Sequence, residues 1–580
     1  MSDFDTLRVK VGRRPIVVVE IDLDFCQNTY GTSPCTAALG TTGTAKCYNT
    51  FKSCQDTENF NRGVKTYKFC SNDGRLPIGQ NLFPCITSID ITPSVLVQED
   101  FSIAASVTVT AQDFTIHDRG IDPYVKDRAS SCQGTFFGRL RARNPYLANR
   151  VMRVKTGYID DNRAIYTMTR TYLIDHIEGP DADGSVRLVG KDPLRYTDDD
   201  KYQVPVPSRG VLSTELDIGI TTLGLAAPGI GDDYPSSGVV RIDDELIAYA
   251  LKAGDLLQGL TRGYLGTTED THDANAKVQI CVSYANETVP NIIYDLLVNY
   301  AQIDPSFITL SDWTDEADNW LGSFTSTVTL SDPASVKDII KEVLQASGSS
   351  LWWDEEEAQI RFKVIMPFLI KQDVVILNDT ANIIEGSVQI EDLEDERLSR
   401  VTTYIDLKSP VLDVDAKNFQ TIIFSIETDA EGENEYQTPQ ALEIKSRWTP
   451  SIAYADSIAN RLLYRRRNTP RQVTLQLDAK DATIKIGDLR DVKTRLMQDF
   501  DGSDAIIRCV VTQVREVMPG TLYEYVLVQV APRGGMRAAL IAPDSTNVWT
   551  SATADEKKNY MFLSDDNGFL SDGSEAPVLC

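Results

Sequence analysis

Four cysteines, Cys26, Cys35, Cys47 and Cys54, stand within the stretch "CQNTYGTSPCTAALGTTGTAKCYNTFKSC". They are four of the chain's ten cysteines, set among Gly, Thr, Ser and Asn residues that bury no core of their own. Disulfides, a zinc ion or an iron–sulfur cluster are the chemistries by which such thiols order a polar stretch. The spacing is C-x8-C-x11-C-x6-C, without the C-x2-4-C knuckle of structural zinc sites, which weighs against a zinc ribbon. Four thiolates also bind a [4Fe–4S] cube, one to each iron, and long loops between ligands let the backbone wrap that larger object. Gly31, Ser33, Gly40 and Gly43 suit a backbone passing close to sulfide and offering N–H donors.

The remaining candidates for chemistry are sparse. Cys281 and Cys509 lie in strand-like text and read as small buried hydrophobes, whereas Cys70, Cys85 and Cys132 leave burial and partial pairing both open. Cys580 ends the chain and is expected to be exposed. Only His117, His176 and His272 offer imidazole, and no HExxH, GxSxG or GxxxxGK[ST] occurs. The acids of "RIDDELIAY" (Asp243, Asp244, Glu245) and of "WWDEEE" (352–357) read as turns between strands, the second with Trp352 or Trp353 in the core and a solvated acidic turn. The basic run "YRRRNTP" (464–470) falls at a helix C-terminus, where cations are favoured anyway. No catalytic residue is assigned, and the chain is not expected to be an enzyme.

The elements that must position the cysteines are mainly strands. Residues 101–118, 150–159, 164–179 and 185–194 alternate apolar and polar side chains between Gly, Pro and Asp punctuation. Helical periodicity is local. It spans 288–303, where Ile292, Ile293, Leu296, Leu297 and Tyr300 share a face, then 332–348, with Asp332 as N-cap, Pro333 at N1 and Gly348 as the stop, and finally Ala453 to Arg466. The expected class is mainly β with a few packed helices, multi-domain and built of barrels or sandwiches. The divisions expected are a cysteine-rich N-terminal region (1–90), a first β-domain (91–205), a small all-β insertion (206–285), a helix-containing domain (286–370), a second β-barrel region (371–540) and an extended C-terminal arm (541–580).

At 580 residues, core size is not limiting, so disulfides are not needed to replace a core. With 57 Lys and Arg against 84 Asp and Glu, the formal charge of −27 disfavours stable nucleic-acid binding through phosphates. The same balance suits a wall past which a polyanion slides without sticking. "PIVVVEIDL" reads as a strand rather than an export signal, and no apolar run of about 18 residues occurs, so no transmembrane segment is expected. Synthesis in a reducing cytoplasm follows as the expectation, which weighs against disulfides.

The motif "FCQNTYGTSPC" followed by "KCYNTFKSCQDTENF" resembles the cysteine module of tail-tip hub proteins of long-tailed bacteriophages and gene transfer agents. In lambda-like members, pairs spaced C-x8-C and C-x6-C hold an iron–sulfur cluster near the C-terminus; here the module stands near the N-terminus. Residues 118–159 are similar to an opening hub β-domain, 239–278 to a small β-module common in tail proteins, and 288–367 to a hub segment whose helices pack on a second barrel. The resemblance implies a β-barrel tail hub at the tip or baseplate of a virion, with Cys26, Cys35, Cys47 and Cys54 ligating a [4Fe–4S] cluster. It implies a homotrimer that adapts the sixfold tail tube to a threefold tip, made in the host cytoplasm. Its implied partners are distal tail and tail tube proteins, a central fibre or spike, the tape-measure protein and DNA in transit during ejection. The alternative is a receptor-binding or adhesive tail protein whose N-terminal cysteines form disulfides.

Overall fold

A computed structural model of the chain describes residues 3–10, 12–71, 82–97, 105–115, 118, 121–128, 134–160, 163–198, 201–364, 374–431, 439–499 and 501–530. His117, Cys132, Cys580 and the expected arm 541–580 lie outside them. The architecture is mainly β, as the alternating segments require. Among the described residues no helix is long and apolar enough to cross a membrane.

Seven strands close a barrel: β1 (Pro15–Cys26), β2 (Arg62–Ser71), β3 (Leu82–Thr92), β4 (Ser106–Gln112), β5 (Val151–Asp160), β6 (Arg163–Glu178) and β7 (Ser185–Lys191). Their order around it is β1-β2-β3-β4-β7-β6-β5, with β5 returning to β1. On β1 the alternation sends Val17, Val19, Ile21 and Leu23 into the core. Glu20 stands directly opposite Lys68 on β2 and Arg153 on β5, so cross-strand charge pairs reinforce the register that the apolar alternation sets. The helix Phe136–Arg143 packs Phe136 and Phe137 against Phe69, Phe83 and Phe114 on this core. The barrel takes strands from both sides of residue 90. The cysteine stretch is therefore an excursion between β1 and β2, not a separate leading module.

Residues 211–281 form a small β-module with its own core of Leu212, Leu216, Leu223, Val240, Ile247 and Val278. The helix Val289–Asp295 follows and continues as a π-helical turn, Leu296–Tyr300, and this layer shares the barrel's core. The helix Val336–Ser347 ends at Gly348 (φ 61°), as expected, but its N-cap is Ser335, whose side chain accepts from the Asp338 N–H. Asp332 and Pro333 lie outside it because Ala334 and Ser335 pair with Val204 and Gln203 instead. The hairpin Ser349–Asp354 and Gln359–Val364 buries both Trp352 and Trp353, one on each face. Its turn is not fully solvated, since Glu355 is buried.

In the region of the expected second barrel, the described residues form a six-stranded sheet in the order Ile376–Asn378, Leu489–Gln498, Asp504–Met518, Leu522–Gln529, Arg471–Asp478, Gln389–Asp392, which does not close among them. Between its strands in sequence lies a three-stranded sheet around Arg400–Leu407, which the helix Ile452–Arg466 covers on one face. The turn after Met518 docks on the first barrel. Arg170 reaches Glu516 at 2.5 Å, the Tyr158 hydroxyl donates to the Gly520 carbonyl at 2.7 Å, and Ser94 N–H donates to Glu355 at 2.8 Å.

Candidate functional site

The four cysteines lie at and beyond the end of β1, on the loop that the barrel sends out to residue 61. Cys26 is the last residue of β1 and is buried. Its N–H donates to the Asn49 carbonyl at 2.7 Å while the Asn49 amide donates back to the Cys26 carbonyl at 2.9 Å. Asn49 adopts φ 56°, a left-handed conformation that Asn tolerates, and so turns the chain back over the strand end. Gln27 N–H to the Asn61 carbonyl, 2.9 Å, closes the neck of the loop.

Short turns set the other thiols. Cys35 N–H donates to Thr32 at 2.9 Å, and Asp56 then accepts from both the N–H and the hydroxyl of Thr36. Gly40 sits at φ 80°, and a Cβ on Gly43 would overlap the Gln55 side chain, so both glycines answer local geometry. Gln55 in turn accepts from the hydroxyls of Tyr30 and Thr42. Cys54 follows the turn Phe51–Ser53, and its sulfur accepts the Asp56 N–H at 3.4 Å.

All four thiols are free, and none is paired in a disulfide. Burial raises the Cys47 thiol above its ordinary pKa, and the charges of Cys54, Cys35 and Cys26 add to the rise. Cys54 is raised in the same way, by burial first and then by Cys26, Asp56 and Cys35. The fold thus brings Cys47 and Cys54 into electrostatic range of Cys26 and Cys35, although 27 residues lie between the first and the last. Among the described residues, no group of three or more His, Cys, Asp and Glu side chains is arranged to hold a metal ion. Four free thiols, in loops turned by Gly31, Gly40 and Asn49, are soft donors of the kind that bind zinc or an iron–sulfur cluster.

No protein-family model matches the sequence, and no curated protein matches it. Among solved structures, the chain is similar to the 43 kDa tail protein of prophage MuSo2 from Shewanella oneidensis. That similarity has 9% identity and a TM-score of 0.35, over 77% of this chain and 98% of that one. It is also similar to a tail protein from Neisseria meningitidis MC58, with 11% identity and a TM-score of 0.34, over 76% and 96%. A chain of the native gene transfer agent virion aligns with 13% identity and a TM-score of 0.29, over 58% and 86%.

The other described thiols separate from the site. Cys70 and Cys85 are buried, on opposite faces of adjacent strands, and Cys281 and Cys509 are buried with thiols pushed up to about 12 by desolvation. One cluster escaped sequence reasoning. His272 is buried with Nδ1 at 2.8 Å from Asp243 and Nε2 at 2.8 Å from Glu245. Glu245 also accepts a two-pronged pair from Arg262, at 2.8 Å each, and the Gly263 N–H. Burial alone would raise the Glu245 carboxyl, yet these donors hold it at about 2. Asp243 at φ 49° makes the turn that carries Glu245 inward. The separation of 27 residues between Glu245 and His272 left no local signal for this contact.

Proposed function

We propose that the chain is a structural hub at the tip of a long bacteriophage-type tail, working in the virion as a homotrimer. It joins the sixfold tail tube and distal tail proteins to a threefold spike or fibre. The tape-measure protein and then DNA pass through the channel it closes and opens. The role is mechanical rather than catalytic. One observation carries the reading: four free thiols, spaced as in the hub cysteine module, gather on a loop of a closed β-barrel. Cys26, Cys35, Cys47 and Cys54 would hold a [4Fe–4S] cluster, which supplies four covalent ties to a loop with little core of its own.

Anaerobic purification tests this. Brown protein with iron and sulfide that is lost when any one of the four cysteines becomes Ser, but retained in Cys281→Ser and Cys509→Ser, is the expected result. A colourless chain with no free thiol at the four positions would instead make it a disulfide-stabilised adhesive protein.

A further inference from the structure

The cysteine loop leans on a second segment, and that contact involves no thiol. Arg128 donates to the carbonyls of Lys46 at 2.5 Å and Cys47 at 2.8 Å, the two residues that open the second cysteine pair. Its guanidinium also pairs with Asp122 at 2.6 Å and lies 3.8 Å from the centre of the Tyr48 ring. Arg143, on the helix that packs into the barrel core, lies 4.0 Å from the same ring and pairs with Asp118 at 2.6 Å. Asp118 and Asp122 are both buried, and the Asp122 N–H donates to the Asp118 carbonyl, so the two arginines that grip Tyr48 stand on one fixed base. Lys46 pairs with Asp127 at 2.8 Å, and the Tyr30 N–H donates to the Tyr124 hydroxyl at 2.7 Å. Among the described residues, these partners of the loop lie at 122–128 and on the helix Phe136–Arg143.

We propose that Arg128, with Tyr48 stacked beside it, is a positioning residue that holds the four-thiol loop against the barrel before any metal group arrives. A planar fork with five donors is what this place requires: two carbonyls, one carboxylate and one ring face are met at once, which an ammonium cannot do. The surroundings also compensate charge. Lys46, Arg128 and Arg143 stand beside Cys47 and Tyr48, paired with Asp127, Asp122 and Asp118, while Asp56 lies beside Cys54. A metal group bound by four thiolates remains net negative, so the guanidinium of Arg128, which reaches the Cys47 carbonyl, favours it. Arg128 thus fixes where the loop lies, and a metal group would bind a loop already held against the barrel.

The charge-compensating half rests on the metal reading above; the positioning half does not, and the experiment separates them. Trypsin cleavage after Lys46 and Lys52 is followed by mass spectrometry on the full chain, its four-Ser variant (Cys26, Cys35, Cys47 and Cys54→Ser), and that variant with Arg128→Ala or Arg128→Lys. Cooperative melting serves as the folding control. The four-Ser variant is expected to resist as the metal-free parent does, and Arg128→Ala to speed cleavage at least about tenfold, because hydrogen bonds from a charged donor close the loop. Arg128→Lys, which keeps the charge without the fork, is expected to behave as Arg128→Ala and to show that the fold survives. Equal cleavage with and without Arg128, or full protection by Lys, overturns the positioning role. In the cysteine-containing chain, Arg128→Ala is expected to lose most of its iron on gel filtration, and full retention overturns the charge-compensating half. An iron-free parent chain would sink the metal reading while the protease arm still judged the clamp.

Discussion

At the scale of single residues, the chain shows two ways of using buried charge. Around Cys47 the charged groups serve a loop, and around Glu245 they serve a core. Glu245 is the hub of the small β-module: Arg262, His272 and two backbone N–H groups all depend on it, and both partner side chains are buried. Glu245→Ala takes the buried carboxylate from Arg262 and His272 and leaves Asp243 and backbone carbonyls as their remaining acceptors, which costs about 3 kcal/mol. We expect hydrogen exchange across 238–280 to speed accordingly while the first barrel stays protected; unchanged exchange in that module would show the cluster to be dispensable. The sequence displayed Asp243, Glu245 and His272 but not their meeting. A turn and a tight return loop, each reasonable alone, acquire a joint role only when Leu216 and His272 exchange backbone hydrogen bonds.

Among the elements, the junction between barrel and second sheet concentrates the strain that burial imposes on acids. Desolvation pushes Asp192 and Glu355 up to about 7, and Arg170, Asp354, Glu356, Glu516 and Lys485 crowd the same region. Both carboxyls titrate higher folded than unfolded, so the folded chain binds more protons between about pH 4 and 7. Their contribution is complete at the acid end and declines as the pH rises to about 7, levelling above it. The difference in melting temperature between parent and Glu355→Gln should therefore change with pH across this window, and a constant difference from pH 4 to 8 would refute the assignment. The same junction admits little extra volume. Gly520 has φ 59°, and a Cβ there would stand 3.1 Å from Pro15 and 3.2 Å from Tyr158. Gly520→Ala is expected to destabilise by at least about 1 kcal/mol through the left-handed backbone alone, read as a lower denaturation midpoint. The acidic hairpin turn at 354–357 was legible as a turn. Its burial was not, because a neighbour far along the chain, Ser94, is what takes Glu355 out of water.

For the whole molecule, the proposed hub role demands an assembly whose symmetry matches its neighbours, and a threefold tip on a sixfold tube requires three copies of this chain. Mass photometry of purified tail tips is expected to give three copies per tail; one or two would rule out the hub arrangement. The charge of −27 is consistent with that proposal, since an acidic channel wall would let DNA pass without holding it.

What the amino-acid sequence determined alone was local and periodic. Alternation made the strands, with Val17, Val19, Ile21 and Leu23 facing one way on β1, and the apolar stripe of Ile339, Ile340, Val343 and Leu344 made the helix that Gly348 ends. The spacing of Cys26, Cys35, Cys47 and Cys54 marked the candidate site, because clustered thiols in polar text need a cross-link or a metal to order them. Tertiary structure decided everything that depends on closure. It made the first seven strands a barrel and left the second set, among the described residues, an open sheet, it moved the helix cap from Asp332 to Ser335 by pairing Ala334 with Val204, and it set Arg128 against Tyr48. Periodicity records which face of an element is apolar, but not which distant element will cover it. Contacts between residues 46 and 128, or 94 and 355, exist only once the chain has returned on itself.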